Sequence, residues 1–152
     1  MTYNGMPVES ATNKQLETLM GLKKAIDKLS GDKDLSIADY LLRVQIFEFN
    51  LKYLWKHYGF KDKTKIPKKD YDRWTLGEMI VVLERHNDGY FANLIPLCHE
   101  INKMRVDVVH HLLDEDTDYP EILDEVPKQY GIIDRAQQEI WHYLEWDKSF
   151  RQ

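Results

Sequence analysis

Apolar residues recur at intervals of three and four along most of this chain, whereas no stretch alternates apolar and polar residues for long enough to form a strand. The clearest stripe runs between Ser36 and Gly59, and its members are Ile37, Tyr40, Leu41, Val44, Phe47, Leu51, Leu54 and Tyr58. A second stripe lies between Ser10 and Leu29 and consists of Leu16, Leu19, Met20, Leu22, Ala25, Ile26 and Leu29. Such stripes are typical of amphipathic helices that bury one face. The sequence therefore predicts an all-α fold.

Helix-capping residues mark the starts of two predicted helices. Ser36 is followed by Asp39, and Thr75 by Glu78, each at the spacing of a capping box. Thr75 opens the segment "TLGEMIVVLERH", which predicts a short helix that ends near residues 87–89.

Two further apolar segments predict the rest of the bundle. The first, "YFANLIPLCHEINKMRVDVVHHLLDE", predicts a fourth helix with Pro96 in its first turn or at a kink. The second, "GIIDRAQQEIWHYLEWDKSF", predicts a last helix over about residues 131–150, after an acidic run from Asp114 to Glu121. A chain of 152 residues can bury one core, so we expect a single domain over 1–152, an up-and-down bundle of about five helices.

The composition excludes several classes of protein. A formal net charge of −5 argues against sequence-blind binding of nucleic acid, which draws on clustered Lys and Arg. The single cysteine, Cys98, excludes a disulfide framework and a Cys-rich zinc site, and as a predicted buried thiol it indicates a reducing cytoplasm. The N-terminus lacks the apolar segment of a signal peptide, and no apolar run approaches the roughly 18 residues of a membrane span. We expect a soluble cytoplasmic protein with no membrane contact.

The charge is unevenly distributed along the chain. Between Lys52 and Arg73 there are eight basic residues and three acidic ones. This segment overlaps the predicted surface loop "FKDKTKIPKKDYDRW". Its lysines between Lys61 and Lys69 are flanked by Tyr58, Phe60, Tyr71 and Trp74, a combination of cations and aromatic faces that suits RNA binding. The candidate RNA-binding residues are Lys61, Lys63, Lys65, Lys68 and Lys69. A solubilising loop with aromatics packed at helix ends is the alternative.

The fourth predicted helix contains charged residues among its apolar ones, in "NKMRVDVVHHLL". The apolar residues of this stretch are expected to belong to the helix core: Met104, Val106, Val108, Val109, Leu112 and Leu113. Arg105 and His110 are separated on a helix by about 140° of rotation and about 7.5 Å of rise, so they do not point at one core. Asp107 nearly shares a face with His110 and is placed to orient its imidazole, and Asn102 stands one turn before Arg105. Such a polar strip suits a second copy of itself across a two-fold axis.

These residues resemble the HEPN superfamily of small all-α domains. "RVDVVH" matches the family's Arg-x4-6-His motif and lies on the expected helix, after the "TLGEMI" of a short third helix. The long second helix has an internal glutamate, Glu48 in "IFEFNLKYLW", as in that family. The resemblance covers about residues 36–113, roughly half of the chain.

The resemblance implies a function. Many HEPN proteins are metal-independent endoribonucleases that act as homodimers, often in toxin–antitoxin or antiviral defence, with an antitoxin or sensor protein as partner. It would give Arg105 and His110 the catalytic roles and requires no cofactor. The chemistry fits: RNA supplies its own nucleophile in the 2′-hydroxyl, His titrates near neutrality, and Arg is a fixed cation for the charge that builds on phosphorus. The expected products are a 2′,3′-cyclic phosphate and a 5′-hydroxyl.

One position departs from the family pattern. Many members have a polar residue directly after the arginine, where this chain has Val106. Asp107 and Asn102 are the candidates to supply that polar support, and otherwise the site is degenerate. His111 gives the spacing Arg-x5-His, which the motif also allows, so the choice of working histidine is open.

Other interpretations of these residues stay open at this point. Glu48 is either a partly buried acid that holds Arg105 or a residue on the solvated flank of its helix. The whole protein is alternatively a non-catalytic HEPN-like module that binds a protein or RNA partner. A metal site built on Asp107 and His110 with His99 or Glu100 is disfavoured, because helical di-iron sites need a second Glu-x-x-His set and the chain has none.

Overall fold

The fold is a bundle of helices, as the sequence predicts. The computed structural model describes residues 2–3, 6–7, 13–58, 73–85 and 91–151, with side chains within 13–54, 73–85 and 91–144. Its helices are α1 (Asn13–Leu29), α2 (Ser36–Tyr58), α3 (Leu76–Arg85), α4 (Ile95–His110), α5 (Tyr119–Glu125) and α6 (Tyr130–Arg151). Of the helices described, all but the seven-residue α5 have at least ten residues. The prediction of an all-α bundle of about five helices is confirmed.

Two very short strands precede the bundle. Strand β1 (Thr2–Tyr3) pairs antiparallel with β2 (Met6–Pro7), with Thr2 opposite Pro7 and Tyr3 opposite Met6. Each has two residues, too few for the sequence to show any period.

Helix α2 is central, because α1, α4 and α6 all pack against it. Its buried Tyr40, Phe47 and Leu51 join one hydrophobic core with residues of α3, α4 and α6. Two polar contacts also tie α2 to α6. Asn50 Nδ2 donates to Gln137 Oε1 at 3.1 Å, and the Tyr130 hydroxyl donates to the Ser36 carbonyl at 3.0 Å. These contacts fix α2 and α6 side by side.

The first helix packs against the other side of α2. Leu19 and Ile26 of α1 are buried with Ile46 of α2 in a small second cluster. Met20 belongs to the predicted stripe, but it is exposed, so its placement in the core was wrong. Adjacent positions on a helix differ by about 100°, and α1 buries only the face that meets α2.

The two predicted capping boxes have different outcomes. Thr75 Oγ1 accepts from the Glu78 backbone N–H at 3.2 Å, so the cap of α3 is confirmed. The cap at Ser36 was wrong, since its hydroxyl has no hydrogen-bond partner among the described residues. The 3-10 turn Lys33–Leu35 runs directly into α2, and the Ser36 backbone N–H donates to the Lys33 carbonyl. The turn thus provides a backbone acceptor at the start of the helix, where a capping side chain would otherwise serve. Asp39 instead forms a 2.8 Å ion pair with Arg43.

The segment after α4 contains a helix that the periodicity did not indicate. Pro96 lies in the first turn of α4, as predicted, and α4 ends at His110. The acidic run ends in α5, where Asp118 caps the helix by accepting from the Glu121 N–H at 3.2 Å. The 3-10 turn Val126–Gln129 then leads into α6, whose predicted stripe is buried throughout, at Ile133, Ala136, Ile140, Tyr143 and Leu144. None of the described helices has a stretch long and apolar enough to cross a membrane.

Candidate functional site

Arg105 of α4 faces Glu48 of α2. The distance between Arg105 Nε and Glu48 Oε1 is 3.3 Å, and the two side chains are 29% and 20% exposed. Glu48 is therefore the partly buried acid that meets Arg105, and not a residue of a solvated flank. Burial raises the pKa of the Glu48 carboxyl, while the charges of Arg105 and Lys52 act against that rise.

Tyr40 of α2 is hydrogen-bonded to α4 one turn before Arg105. It is fully buried, and its hydroxyl donates to the backbone carbonyl of Ile101 at 2.9 Å. Burial raises the pKa of the Tyr40 phenol well above its usual range; the charge of Asp107 adds to that rise and the charge of Arg105 opposes it. The hydroxyl thus stays protonated and remains a donor. The sequence placed Tyr40 in the buried stripe but gave no sign that it contacts α4, because such a contact depends on how the helices pack.

His110 is the last residue of α4 and is exposed. Within the described part of the chain its imidazole forms no hydrogen bond or ion pair. Val109 and Leu113 were expected to belong to the helix core, and this was wrong: their exposed fractions are 48% and 97%. The bundle covers the opposite face of α4, so the end of this helix presents His110 among exposed apolar side chains.

His111 is held in the turn that ends α4. Its backbone N–H donates to the Asp107 carbonyl at 3.1 Å, and its own carbonyl accepts from Thr117 Oγ1 at 2.6 Å. Its ring Nδ1 lies 2.7 Å from Asp114 Oδ2. These contacts give His111 a structural part at the helix end that the sequence motif does not reveal.

The supporting residues do not gather around His110. Asp107 is half-buried and lines a cavity of about 300 Å³ between α4 and α5, together with Met104 and His111. No hydrogen bond joins Asp107 to His110, although they are three residues apart. Asn102 is half-buried one turn before Arg105. The bundle thus brings Arg105, Glu48 and Tyr40 together and leaves His110 apart from them.

Within the described residues, no hydrogen bond or ion pair joins Arg105 to His110. Arg105 is directed toward α2, whereas His110 is on the exposed part of the same helix, about 140° further round.

No protein-family model matches this chain, and no curated protein or solved structure is detectably similar to it. The likeness to the HEPN superfamily accordingly depends on the residues quoted above.

Two other sequence predictions concern the RNA-binding lysines and a metal site. The candidate RNA-binding lysines, Lys61, Lys63, Lys65, Lys68 and Lys69, lie outside the described residues. Across the described ranges, no three His, Cys, Asp or Glu side chains are grouped so as to hold a metal ion. His99, a candidate ligand in the disfavoured metal site, is paired instead with Glu84 of α3.

Proposed function

We propose that this protein is a metal-independent endoribonuclease of HEPN type that acts as a homodimer. The proposal rests on the burial and the contacts of the two motif residues, Arg105 and His110. Arg105 is partly buried and oriented by Glu48, while His110 is exposed and without a partner among the described residues. A fixed cation and an accessible imidazole are the two groups that RNA cleavage by its own 2′-hydroxyl requires.

The chemistry follows from these two groups. His110 takes the proton of the 2′-hydroxyl, whose oxygen attacks the adjacent phosphorus. The bond from phosphorus to the 5′-oxygen breaks, and the leaving oxygen receives a proton from the second imidazole of the dimer or from water. Arg105 stabilises the extra negative charge on the phosphoryl oxygens through charge-assisted hydrogen bonds. The products are a 2′,3′-cyclic phosphate and a 5′-hydroxyl.

The homodimer is supported by the surface around His110. Val109 and Leu113 expose apolar surface beside it, and burying that surface against a second copy is favourable. A two-fold axis there brings the Arg105 of one copy toward the His110 of the other. A role as a cytoplasmic toxin or antiviral effector, controlled by an antitoxin or sensor protein, is part of the proposal through the HEPN resemblance alone.

The test is an RNA cleavage assay in EDTA. Wild type should cut RNA and leave cyclic phosphates, and His110→Ala should abolish cutting while circular dichroism and sedimentation stay unchanged. His99→Ala is the matched control, because His99 is also exposed on α4 but pairs with Glu84. His111→Ala should retain cleavage, because that ring is engaged with Asp114.

A non-catalytic interaction module is the second candidate function. The exposed apolar residues Val109 and Leu113 favour it, because they suit a protein partner as well as a second copy. It predicts no cleavage by folded wild type on several RNAs, and loss of partner binding when these side chains are made polar.

A further inference from the structure

A groove lies between α1 and α2. Its volume is about 410 Å³, within the range of sites that hold a small ligand. Leu19 and Leu22 of α1 and Phe49 of α2 form its apolar walls, and the half-buried Phe49 contributes an aromatic surface. Such walls fit a flat, weakly polar group.

The groove also carries charge and hydrogen-bonding groups. Lys14 of α1 and Lys52 of α2 contribute two positive charges against the single carboxylate of Glu48. Gln45 lines it with a side-chain amide, which both donates and accepts hydrogen bonds. A ligand with an anionic group, a flat ring and polar ring edges matches all three kinds of wall.

The position of the groove relates it to the candidate active site. Glu48 lines the groove, and its Oε1 lies 3.3 Å from Arg105 Nε. The side chain of Glu48 therefore stands between the groove and Arg105. A molecule bound in the groove therefore lies next to the cation that we assign to the reacting phosphate.

We propose that this groove binds one nucleotide of the RNA substrate, adjacent to the bond that is cut. The base packs on Phe49 and Leu22 with its edge toward Gln45, and a phosphate lies near Lys14 and Lys52. Stacking on an aromatic side chain and charge-assisted contacts to phosphate are the usual means of holding single-stranded nucleic acid. This inference rests on the proposed function for the source of the nucleotide, while binding of a nucleotide is testable without cleavage.

The first experiment is a titration of the protein with nucleoside 3′-monophosphates, monitored by NMR. Saturable shift changes should concentrate on the groove residues, and the nucleosides that lack phosphate should bind more weakly. Lys14→Glu should weaken binding about tenfold or more by reversing a charge beside the phosphate. Lys24→Glu, on the exposed part of α1 outside the groove, should leave binding unchanged. Shifts that do not saturate, or equal effects of the two variants, would overturn the proposal.

The second experiment fills the groove. Thr18 is exposed on α1 and lines the groove, so Thr18→Trp should occupy it without disturbing the core, and Lys24→Trp is the control. In the cleavage assay, Thr18→Trp should raise KM for RNA and change the base preference at the cut. If cleavage requires His110 but is unaffected by Thr18→Trp, the groove proposal is wrong and the nuclease proposal stands. If nucleotide binding is saturable and blocked by Thr18→Trp but no RNA is cleaved, the groove binds a nucleotide and the nuclease proposal is wrong.

Discussion

The hydroxyl of Tyr40 donates a 2.9 Å hydrogen bond to the carbonyl of Ile101, a residue 61 positions further along the chain. In an α-helix that carbonyl also accepts from the backbone N–H four residues later, which is that of Arg105. Tyr40 thus fixes the turn of α4 that carries Arg105, and Glu48 orients the guanidinium. Both supports come from α2, so the position of Arg105 depends on how α2 and α4 pack.

Removing the Tyr40 hydroxyl should lower stability modestly. Tyr40→Phe keeps the buried ring, and the Ile101 carbonyl keeps its helical donor, so we expect a loss of about 1 kcal/mol in the free energy of unfolding. Urea denaturation measures this loss. Tyr119→Phe is the control, because Tyr119 is 47% exposed and should change stability little. Equal stabilities of the two variants would contradict a structural role for the bond to Ile101.

The raised pKa of Glu48 should make stability depend on pH. Burial raises this pKa above its ordinary value of 4.5, so just above that pH the native state binds a proton that the unfolded state has released. The contribution of Glu48 to stability is therefore greatest at low pH and declines as the pH rises through the folded-state pKa. Glu48→Gln should remove this part of the slope.

The measurement for Glu48 is urea unfolding at several pH values, from about pH 4 upward to neutrality. Glu100→Gln is the matched control, since Glu100 is an exposed carboxylate on α4. A slope that Glu48→Gln leaves unchanged would argue against the shifted pKa.

The proposed dimer surface should be sensitive to charge at Val109. Val109→Asp places a carboxylate in an apolar contact and should shift the protein from dimer to monomer in sedimentation velocity, with loss of RNA cleavage. Val81→Asp on α3 is the control, because Val81 is similarly exposed, at 42% against 48%. Arg105→Glu is a poorer probe, since it places a second carboxylate beside Glu48. A monomeric wild type, or equal effects of both valine variants, would rule out this interface.

The cysteine should be unreactive in the folded protein. Cys98 is fully buried, and burial raises the pKa of its thiol to about 12, so almost none is thiolate near neutrality. A thiol reagent at about pH 8 should label it only after unfolding in guanidinium chloride. Cys98→Ser buries a hydroxyl and should cost about 1–3 kcal/mol in the free energy of unfolding. Rapid labelling of the native protein would show that α4 opens locally.

The sequence predicted the helices well where burial follows one regular stripe. The stripe of α6 is buried at every predicted position. In α2, Ile37 and Leu41 are only partly buried, the side chain of Tyr58 lies outside the described residues, and Ile46 is buried in addition, against α1. Helix α5 was missed because seven residues next to an acidic run contain too little periodicity. Val109 and Leu113 were misplaced because apolar spacing shows which residues share a face and not whether another element covers it.

The candidate site was predictable only as a set of residues. The motif selected Arg105 and His110, and the structure adds that α2 holds the first and leaves the second exposed. Which acid meets Arg105 depends on the crossing of α2 and α4, so Glu48 had two open interpretations in the sequence. His111 is distinguished from His110 by its contacts with Asp114 and Thr117, which follow the end of the helix.

The pairing of α2 with α6 affects how the protein is made. The contact of Asn50 with Gln137 spans 87 residues, and that of Tyr130 with Ser36 spans 94. During synthesis α2 leaves the ribosome long before α6 exists, and its apolar side chains lack their main partner until α6 follows. A nascent chain that stalls before α6 should therefore bind chaperones and be cut readily by proteases, so folding and any RNA-cleaving activity would begin only after α6 has emerged.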